Sequence, residues 1–508
     1  MISPLLTLRP AFTFALTILC LPATQVMSAA KSTRSNIVYI LADDLGYGDV
    51  QALNPTRGKI KTPHLDRLAA QGMTFTDAHS GSSVCTPTRY GLLTGRYAWR
   101  SRLQKGVLNG TDDPPLIAED RLTVPALLKK NGYTTAAIGK WHLGFLSERP
   151  ISPTTAAPAA PTKKSKMGDA GLPVGSRIIG GPITRGFDYF WGCSNARTMS
   201  GLIENDRVIE SLPPIQMLPR LERQAVNYVA EHATAAKAGK PFFLYVPLTS
   251  PHTPILPTPE WQGKSGLGAY GDFVMQTDAV VGKILAALDE HGLATNTLVI
   301  FTADNGCSPQ ADTPALEKQG HFASAQFRGY KADIWEGGHR VPFFARWPGK
   351  IKAASTSTQL ICHVDLLATC ADLLGLTLPA NAGEDSVSLL PALLGTDRAP
   401  LREAVVHHSI QGMFSLRQGP WKLALCPGSG GWAAPLDPAA RQAGLPEIQL
   451  YHLATDPAES ANVHAENPAV VARLRALLDR TIAEGRSTPG PRQPNDAPID
   501  LLKTKAAP

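Results

Sequence analysis

The pentad Cys85-Thr86-Pro87-Thr88-Arg89 places a thiol, two hydroxyls and a guanidinium within five residues. Thr86 is a natural helix N-cap and Pro87 suits a first helical turn. This predicts a helix with Cys85 at its N-terminus, where unpaired N–H groups and the dipole favour an anion. Arg89 follows one turn later on the same face, with a planar cation suited to tetrahedral oxyanions. The pentad alone reads equally as a capped helix with a buried cysteine. Two further pairs, Asp43-Asp44 and Asp304-Asn305, offer only oxygen. Such sets suit hard cations such as calcium or magnesium, whereas a zinc hydrolase uses histidine or cysteine. Taken singly, each pair also reads as turn and cap residues. Lys140 and His142 are two apart, so on an extended segment both face one side. His252 sits between Pro251 and Pro254, a rigid setting for an imidazole, and Lys331 precedes Glu336-Gly337-Gly338. A lone lysine or histidine is usually a surface or satisfied core group. His64, His339, His363, His407 and His408 are read that way.

Placement gives these residues more weight than type does. The chain alternates apolar strands with helices. Strands are expected at 36–42, 133–138, 241–248 and 297–302, and helices at 62–72, after Cys85, and at 123–130, 221–238 and 272–291. Such alternation argues a mostly parallel sheet with helices on both faces. Asp43, Asp44, Lys140, His142, His252, Asp304 and Asn305 all follow the C-terminal ends of expected strands. Ligands bind at that edge of open parallel sheets, so residues distant in sequence converge on one crevice.

The 508 residues suit a large α/β domain with a smaller one. Residues 1–30 read as a signal peptide: Arg9, a short apolar run from Ala11 to Leu21, and a small-residue cleavage site at Ser28-Ala29-Ala30. An exported, periplasmic or secreted protein is therefore expected. No later run reaches the roughly 18 apolar residues of a membrane span. The net charge of +7 fits an anionic substrate without showing one. Nothing in the charge pattern calls for nucleic acid. Cysteine spacing shows no zinc pattern, and cysteine density is too low for a disulfide scaffold. Cys362 and Cys370 are expected on one helix, too far apart to bridge. Residues 31–390 read as the catalytic domain, with a surface insertion at 152–173 rich in Pro, Ala, Thr and Lys. Residues 391–486 read as a C-terminal α+β subdomain with a short antiparallel sheet and a helix at 468–484, and 487–508 as a flexible tail.

Six segments together resemble the type I sulfatases, the arylsulfatase branch of the alkaline-phosphatase-like superfamily. They are NIVYILADDLGYG at 36–48, SVCTPTRYGLLTG at 83–95, GKWHLG at 139–144, SPHTP at 250–254, TADNG at 302–306 and KADIWEGGHRVP at 331–342. The resemblance implies the alkaline-phosphatase-like α/β fold and conversion of Cys85 to Cα-formylglycine (3-oxoalanine) by a formylglycine-generating enzyme. It implies calcium, with magnesium as the alternative, bound by Asp43, Asp44, Asp304, Asn305 and the residue-85 oxygen. Arg89 and Lys140 would hold the formylglycine. Lys140, Lys331 and His252 would contact the sulfate and the leaving oxygen, and His142 the second hydroxyl of the hydrate. The implied reaction is attack of that hydrate on sulfur, with His252 protonating the leaving oxygen and His142 releasing the sulfate by removing the remaining hydroxyl proton.

Two rivals remain at this level: a phosphonate monoester or phosphodiester hydrolase on the same scaffold, and a non-catalytic sulfoglycan-binding protein with unmodified Cys85. The expected substrates are sulfated saccharides, with aryl sulfates also accepted. Specificity is expected in loops at 97–111, 152–181 and 191–197, and near Gly412 and Trp432. Arg96, Arg100 and Arg102 read as a solvated helix face or as a site for an acidic sugar. Whether His339 and Arg340 touch substrate is open.

Overall fold

The computed structural model describes residues 1–3, 34–109, 112–150, 172–397 and 399–503. The expected leader and most of the 152–173 insertion lie outside the described residues. The described residues between 34 and 503 form one compact unit.

The run Asn36–Asp43 is a strand buried along its whole length. Its residues alternate between two cores. Val38, Ile40 and Ala42 pack with Leu65 and Leu68 of helix Pro63–Gln71, Leu221 of Met217–Lys237 and Ile284 of Gly268–Glu290. Ile37, Tyr39 and Leu41 pack with Leu92 and Leu93 of helix Cys85–Thr94, Leu128 of Val124–Lys130 and Leu367 of Leu366–Leu373. Burial on both faces explains an unbroken apolar strand.

Five strands run parallel at the centre of the large sheet, in the order Thr297–Ala303, Asn36–Asp43, Phe242–Pro251, Thr134–Lys140 and Tyr189–Cys193. Antiparallel neighbours flank them, with Phe343–Arg346 on one side and Gly201–Glu204 on the other. The expected mostly parallel sheet with helices on both faces is therefore present at the core of a larger mixed sheet. A second sheet of four antiparallel strands follows: Val405–His408, Phe414–Gln418, Trp421–Ala424 and Gln449–His452. Helix Pro468–Glu484 packs Leu474, Leu477 and Leu478 against it, and Tyr97 and Trp99 from the main body complete that core.

Three expectations need correction, and the C-terminal segment has contacts to add. Thr86 does not cap the Cys85 helix. Its hydroxyl accepts from Leu108 N at 3.3 Å, and the helix starts two residues earlier, with Val84 as N-cap. Cys362 lies in a two-residue strand, apart from the helix that carries Cys370, and all six described cysteines are buried and unpaired. Residues 487–503 make contacts with the body of the protein. Asp496 N donates to Arg100 O at 2.7 Å, and Asp496 pairs with Arg96 at 3.0 Å. Arg96 and Arg100 are neither solvated nor free for a sugar. Both are fully buried, and Arg100 forms a two-pronged pair with Asp385 at 2.8 Å on each arm. Only Arg102 of the three is exposed.

Asp385 also accepts from Tyr97 N at 2.9 Å. Replacing it by alanine leaves the Arg100 guanidinium buried without its main counter-ion. We expect Asp385→Ala to lower unfolding stability by about 3–5 kcal/mol, measured by urea denaturation. A loss below about 1 kcal/mol would show that solvent reaches Arg100.

Candidate active site

The parallel strands end on one edge, and the polar residues that follow them meet there. Asp43 closes its strand and Asp44 follows. Lys140 closes the neighbouring Thr134–Lys140 strand, His252 follows Phe242–Pro251, and Asp304 follows Thr297–Ala303. Asp44 (φ 66°) and His142 (φ 54°) adopt left-handed backbone, which is strained for such residues and concentrates where side chains must be aimed. Cys85 lies at the first helical position of Cys85–Thr94, as the sequence predicts.

Every charged group at this edge is paired. Lys140 Nζ lies 2.7 Å from Asp43 Oδ2. Lys331 Nζ lies 2.7 Å from Asp44 Oδ2. Arg89 donates twice to Asp304 Oδ2, at 2.7 and 3.2 Å, and once to Lys140 O at 3.0 Å. Asp304 Oδ1 accepts from Asp44 N at 3.2 Å, and Asn305 Nδ2 donates to Asp44 Oδ1 at 2.8 Å. Arg89 therefore faces the carboxylates and the Lys140 backbone, and it does not line the cavity described below. Its contacts orient the acidic residues and not an incoming oxyanion.

Two oxygens are left over. Asp43 Oδ1 and Asn305 Oδ1 are buried with no hydrogen-bond partner. One ligand atom each of Asp43, Cys85 and Asp304 lies within 4.8 Å of the others, and the same holds for Asp43, Asp44 and His252. Orphaned carboxylate and amide oxygens beside three carboxylates are the donor set of a hard cation. The residues present fit calcium or magnesium.

Electrostatics separates these groups. Burial raises the Asp43 carboxyl, but Lys140, His252, Arg89 and Lys331 together hold it well below the usual carboxylate range. Burial and the neighbouring Asp43 push Asp304 up to about 7. Burial keeps the Cys85 thiol protonated by raising it above its ordinary value. A buried neutral thiol is a poor nucleophile, so the site is unlike those that activate a cysteine thiolate. Burial, then Lys140, pushes His142 well down. His142 Nε2 donates to Leu108 O at 2.8 Å, because a carbonyl only accepts, and Nδ1 is left as a buried, unpartnered acceptor. Burial, then Lys331, lowers His252 to about 4. Its Nδ1 faces Thr253 O, and its Nε2 lies 3.6 Å from Asp44 Oδ2.

Cys85, Lys140, His142, His252 and Lys331 line one cavity of about 190 Å³, with Val107, Asn109, Asn195, Arg197, Ile410 and Trp432 towards its mouth. These residues fall in or near four of the five segments that the sequence marks for specificity: 97–111, 191–197, and those near Gly412 and Trp432. His339 and Arg340 are elsewhere: His339 is buried beside Lys422 at 3.0 Å, and Arg340 pairs with Glu336 and Asp77. Sequence reading missed the support behind Asp44. Asp49 accepts from Gly46 N, Tyr270 Oη and His321 Nε2, and so fixes the turn after Asp43-Asp44. Only the nearness of Asp49 to the acidic pair hinted at this. Tyr270 and His321 arrive from more than 200 residues away.

A carboxylate cradle for a hard cation at the end of a parallel sheet, facing lysines and imidazoles, defines a hydrolase of anionic esters. The sulfatase family model matches residues 35–376. N-acetylgalactosamine-6-O-sulfatase of Bacteroides thetaiotaomicron is 32% identical, over 94% of this chain and 98% of that protein. Human arylsulfatase A is 35% identical over 90% of each chain. A solved structure from work on the metabolism of multiple glycosaminoglycans by Bacteroides thetaiotaomicron superposes with a TM-score of 0.75 at 30% identity, covering 89% of this chain and 99% of the other. A phosphonate monoester hydrolase of Agrobacterium radiobacter shares the fold, with a TM-score of 0.56 at 20% identity. The chain belongs to the sulfatase family, as a type I sulfatase of the alkaline-phosphatase-like superfamily, and is a sulfuric ester hydrolase.

Proposed function

We propose that this is an exported sulfatase that removes sulfate from saccharides, using a formylglycine made from Cys85 and a bound calcium ion. The observation that carries the reading is the convergence of Cys85, Lys140, His142, His252 and Lys331 on one small cavity beside the oxygen cradle. The leader at 1–30 supports export. The names of the similar proteins, with N-acetylgalactosamine and glycosaminoglycans among them, support a saccharide substrate.

The charge balance supports a cation. Counted at formal charge, Asp43, Asp44 and Asp304 contribute three negatives and Arg89, Lys140 and Lys331 three positives, a formal balance of zero for these six residues. An anionic ester is then not attracted. A divalent ion held by Asp43, Asp44, Asp304 and Asn305 would supply net positive charge, and an aldehyde hydrate at position 85 an oxygen nucleophile. The chain's own residues do the rest. Lys140 and Lys331 neutralise charge that develops on the sulfate oxygens. Arg89 keeps Asp304 and the Lys140 backbone in register. His142 Nδ1 is free to accept a proton from the residue-85 side chain. His252 Nε2 delivers a proton to the leaving oxygen, and the ester's negative charge raises its affinity for that proton. Leu108 and Val84 add apolar lining to the cavity.

His252→Ala is expected to lower kcat by about 10²–10⁴-fold for alkyl and sugar sulfates. The loss should be smaller for an aryl sulfate whose phenolate leaves without a proton. Equal losses across leaving groups would remove His252 from the acid role. Steady-state kinetics on matched sulfate and phosphate esters tests the main reading. A kcat/KM preference for a phosphodiester would favour the phosphodiesterase alternative instead.

A further inference from the structure

The 190 Å³ cavity is smaller than the roughly 300–1,000 Å³ of sites that enclose a whole drug-sized ligand. It holds the sulfate and part of one ring, so the rest of the substrate must meet the rim. The lining carries two unlike groups of residues. Val107, Ile410 and Trp432 are the apolar group, with Val107 37% and Trp432 41% exposed. Asn109, Asn195 and Arg197 are the polar group. Arg197 is exposed, and among the described residues no ion pair engages it.

Both sets of residues are fixed by buried polar groups that also fix the sulfate site. Asp333 lies two residues from Lys331 and is fully buried. It accepts from Tyr330 N at 2.9 Å, Trp432 N at 2.8 Å and Ala433 N at 3.0 Å. Gly431 permits this approach, since a Cβ there would lie 2.4 Å from Ala332 O. Trp432 is thereby registered to Lys331. In the polar set, Asn195 is buried, donates to Asn109 O at 2.8 Å and accepts from Arg197 N at 2.7 Å. Ser194 O accepts from His142 N at 2.7 Å. Arg197 is thereby registered to His142. Burying a carboxylate is costly unless several donors meet it. Here the donors it gathers hold an exposed indole at a set distance from a sulfate-binding lysine.

A sugar ring has an apolar C–H face and a hydroxyl edge. An indole and amides lining the same cavity match both. An exposed guanidinium in the same lining matches a second anion, because its fork fits carboxylate and sulfate oxygens alike. We propose that Trp432 is the platform for the sulfated sugar ring and that Arg197 binds a second anionic group on the substrate, the carboxylate of an adjoining uronic acid or a second sulfate. This rests on the sulfatase reading and adds the substrate's charge pattern to it.

The test uses the full mature enzyme and four probes: 4-nitrophenyl sulfate, a sulfated uronate-bearing disaccharide, its carboxyl-reduced counterpart, and a disulfated disaccharide without uronate. The wild type should prefer at least one doubly anionic disaccharide over the carboxyl-reduced one. Arg197→Ala should narrow that kcat/KM ratio about tenfold, and Arg197→Lys should restore part of it. High salt should narrow it in the wild type and not in Arg197→Ala. Trp432→Ala should raise KM for all three disaccharides. Whichever disaccharide loses its preference in Arg197→Ala identifies the anion as carboxylate or sulfate. An unchanged ratio in Arg197→Ala, or a wild type that turns over 4-nitrophenyl sulfate and none of the disaccharides, overturns the proposal and leaves the sulfatase reading standing. No turnover of any probe by enzyme whose residue 85 is shown to be modified overturns the sulfatase reading itself.

Discussion

Cys85→Ala is expected to abolish turnover by about 10⁴-fold or more while leaving the fold in place, because removing a covalent nucleophile removes the pathway. Cys85 is 2% exposed, and its thiol has no hydrogen-bond partner to lose among those described, so alanine costs little more than the sulfur's packing. Circular dichroism and the unfolding midpoint should stay close to wild type. The modification has its own readout. Trypsin releases residues 68–89 as one peptide, since no lysine or arginine lies between Arg67 and Arg89. Conversion of the cysteine to formylglycine makes that peptide about 18 Da lighter. Retained turnover in the alanine variant, or full activity with an unmodified peptide, would overturn the assignment of Cys85.

The second large effect is expected at Asp43. Its Oδ2 pairs with Lys140 at 2.7 Å and its Oδ1 is one of the two orphaned oxygens. Asp43→Asn keeps the shape, removes a charge and replaces one oxygen donor with an amide. We expect kcat/KM to fall by about 10³-fold, the scale of losing a preorganised charge-stabilising group. The accompanying measurement does not depend on activity. Calcium at about 100 times its Kd should stabilise the wild type by about 2.7 kcal/mol, and chelation should reverse the shift. Asp43→Asn should lose most of that gain. A wild type whose midpoint is indifferent to calcium, magnesium and chelator would show that the orphaned oxygens bind no such ion.

The parts of the site that were readable from sequence share a physical cause. An apolar strand ends where its first polar residue can no longer be buried between two helix layers. Asp43-Asp44, Lys140, His252 and Asp304-Asn305 therefore announce the sheet edge by their position after such runs. Helix limits such as Pro63–Gln71 and Pro468–Glu484 were equally legible, because proline starts and glycine stops are local signals. The Gln449–His452 strand was not expected. Only four residues long, it gains its stability from pairing with Trp421–Ala424.

Partnership was not legible. Arg89 looked like a group for an oxyanion. Asp304, 215 residues away, occupies it instead. Arg96 and Arg100 looked solvated, yet Asp385 and the returning segment around Asp496 cover them. A charged side chain's role is set by which counter-ion lies within a few ångströms, and that depends on how distant segments close over it. Trp432 and Arg197 carry no local pattern, and what makes them a rim is the pair of buried anchors, Asp333 and Asn195. The sequence by itself determined which residue types stand at the sheet edge, through their placement at strand ends and the family's motifs. The tertiary structure alone decided which cations stay committed to the cradle and which one remains free at the mouth, because ion pairing and burial are properties of distance in space.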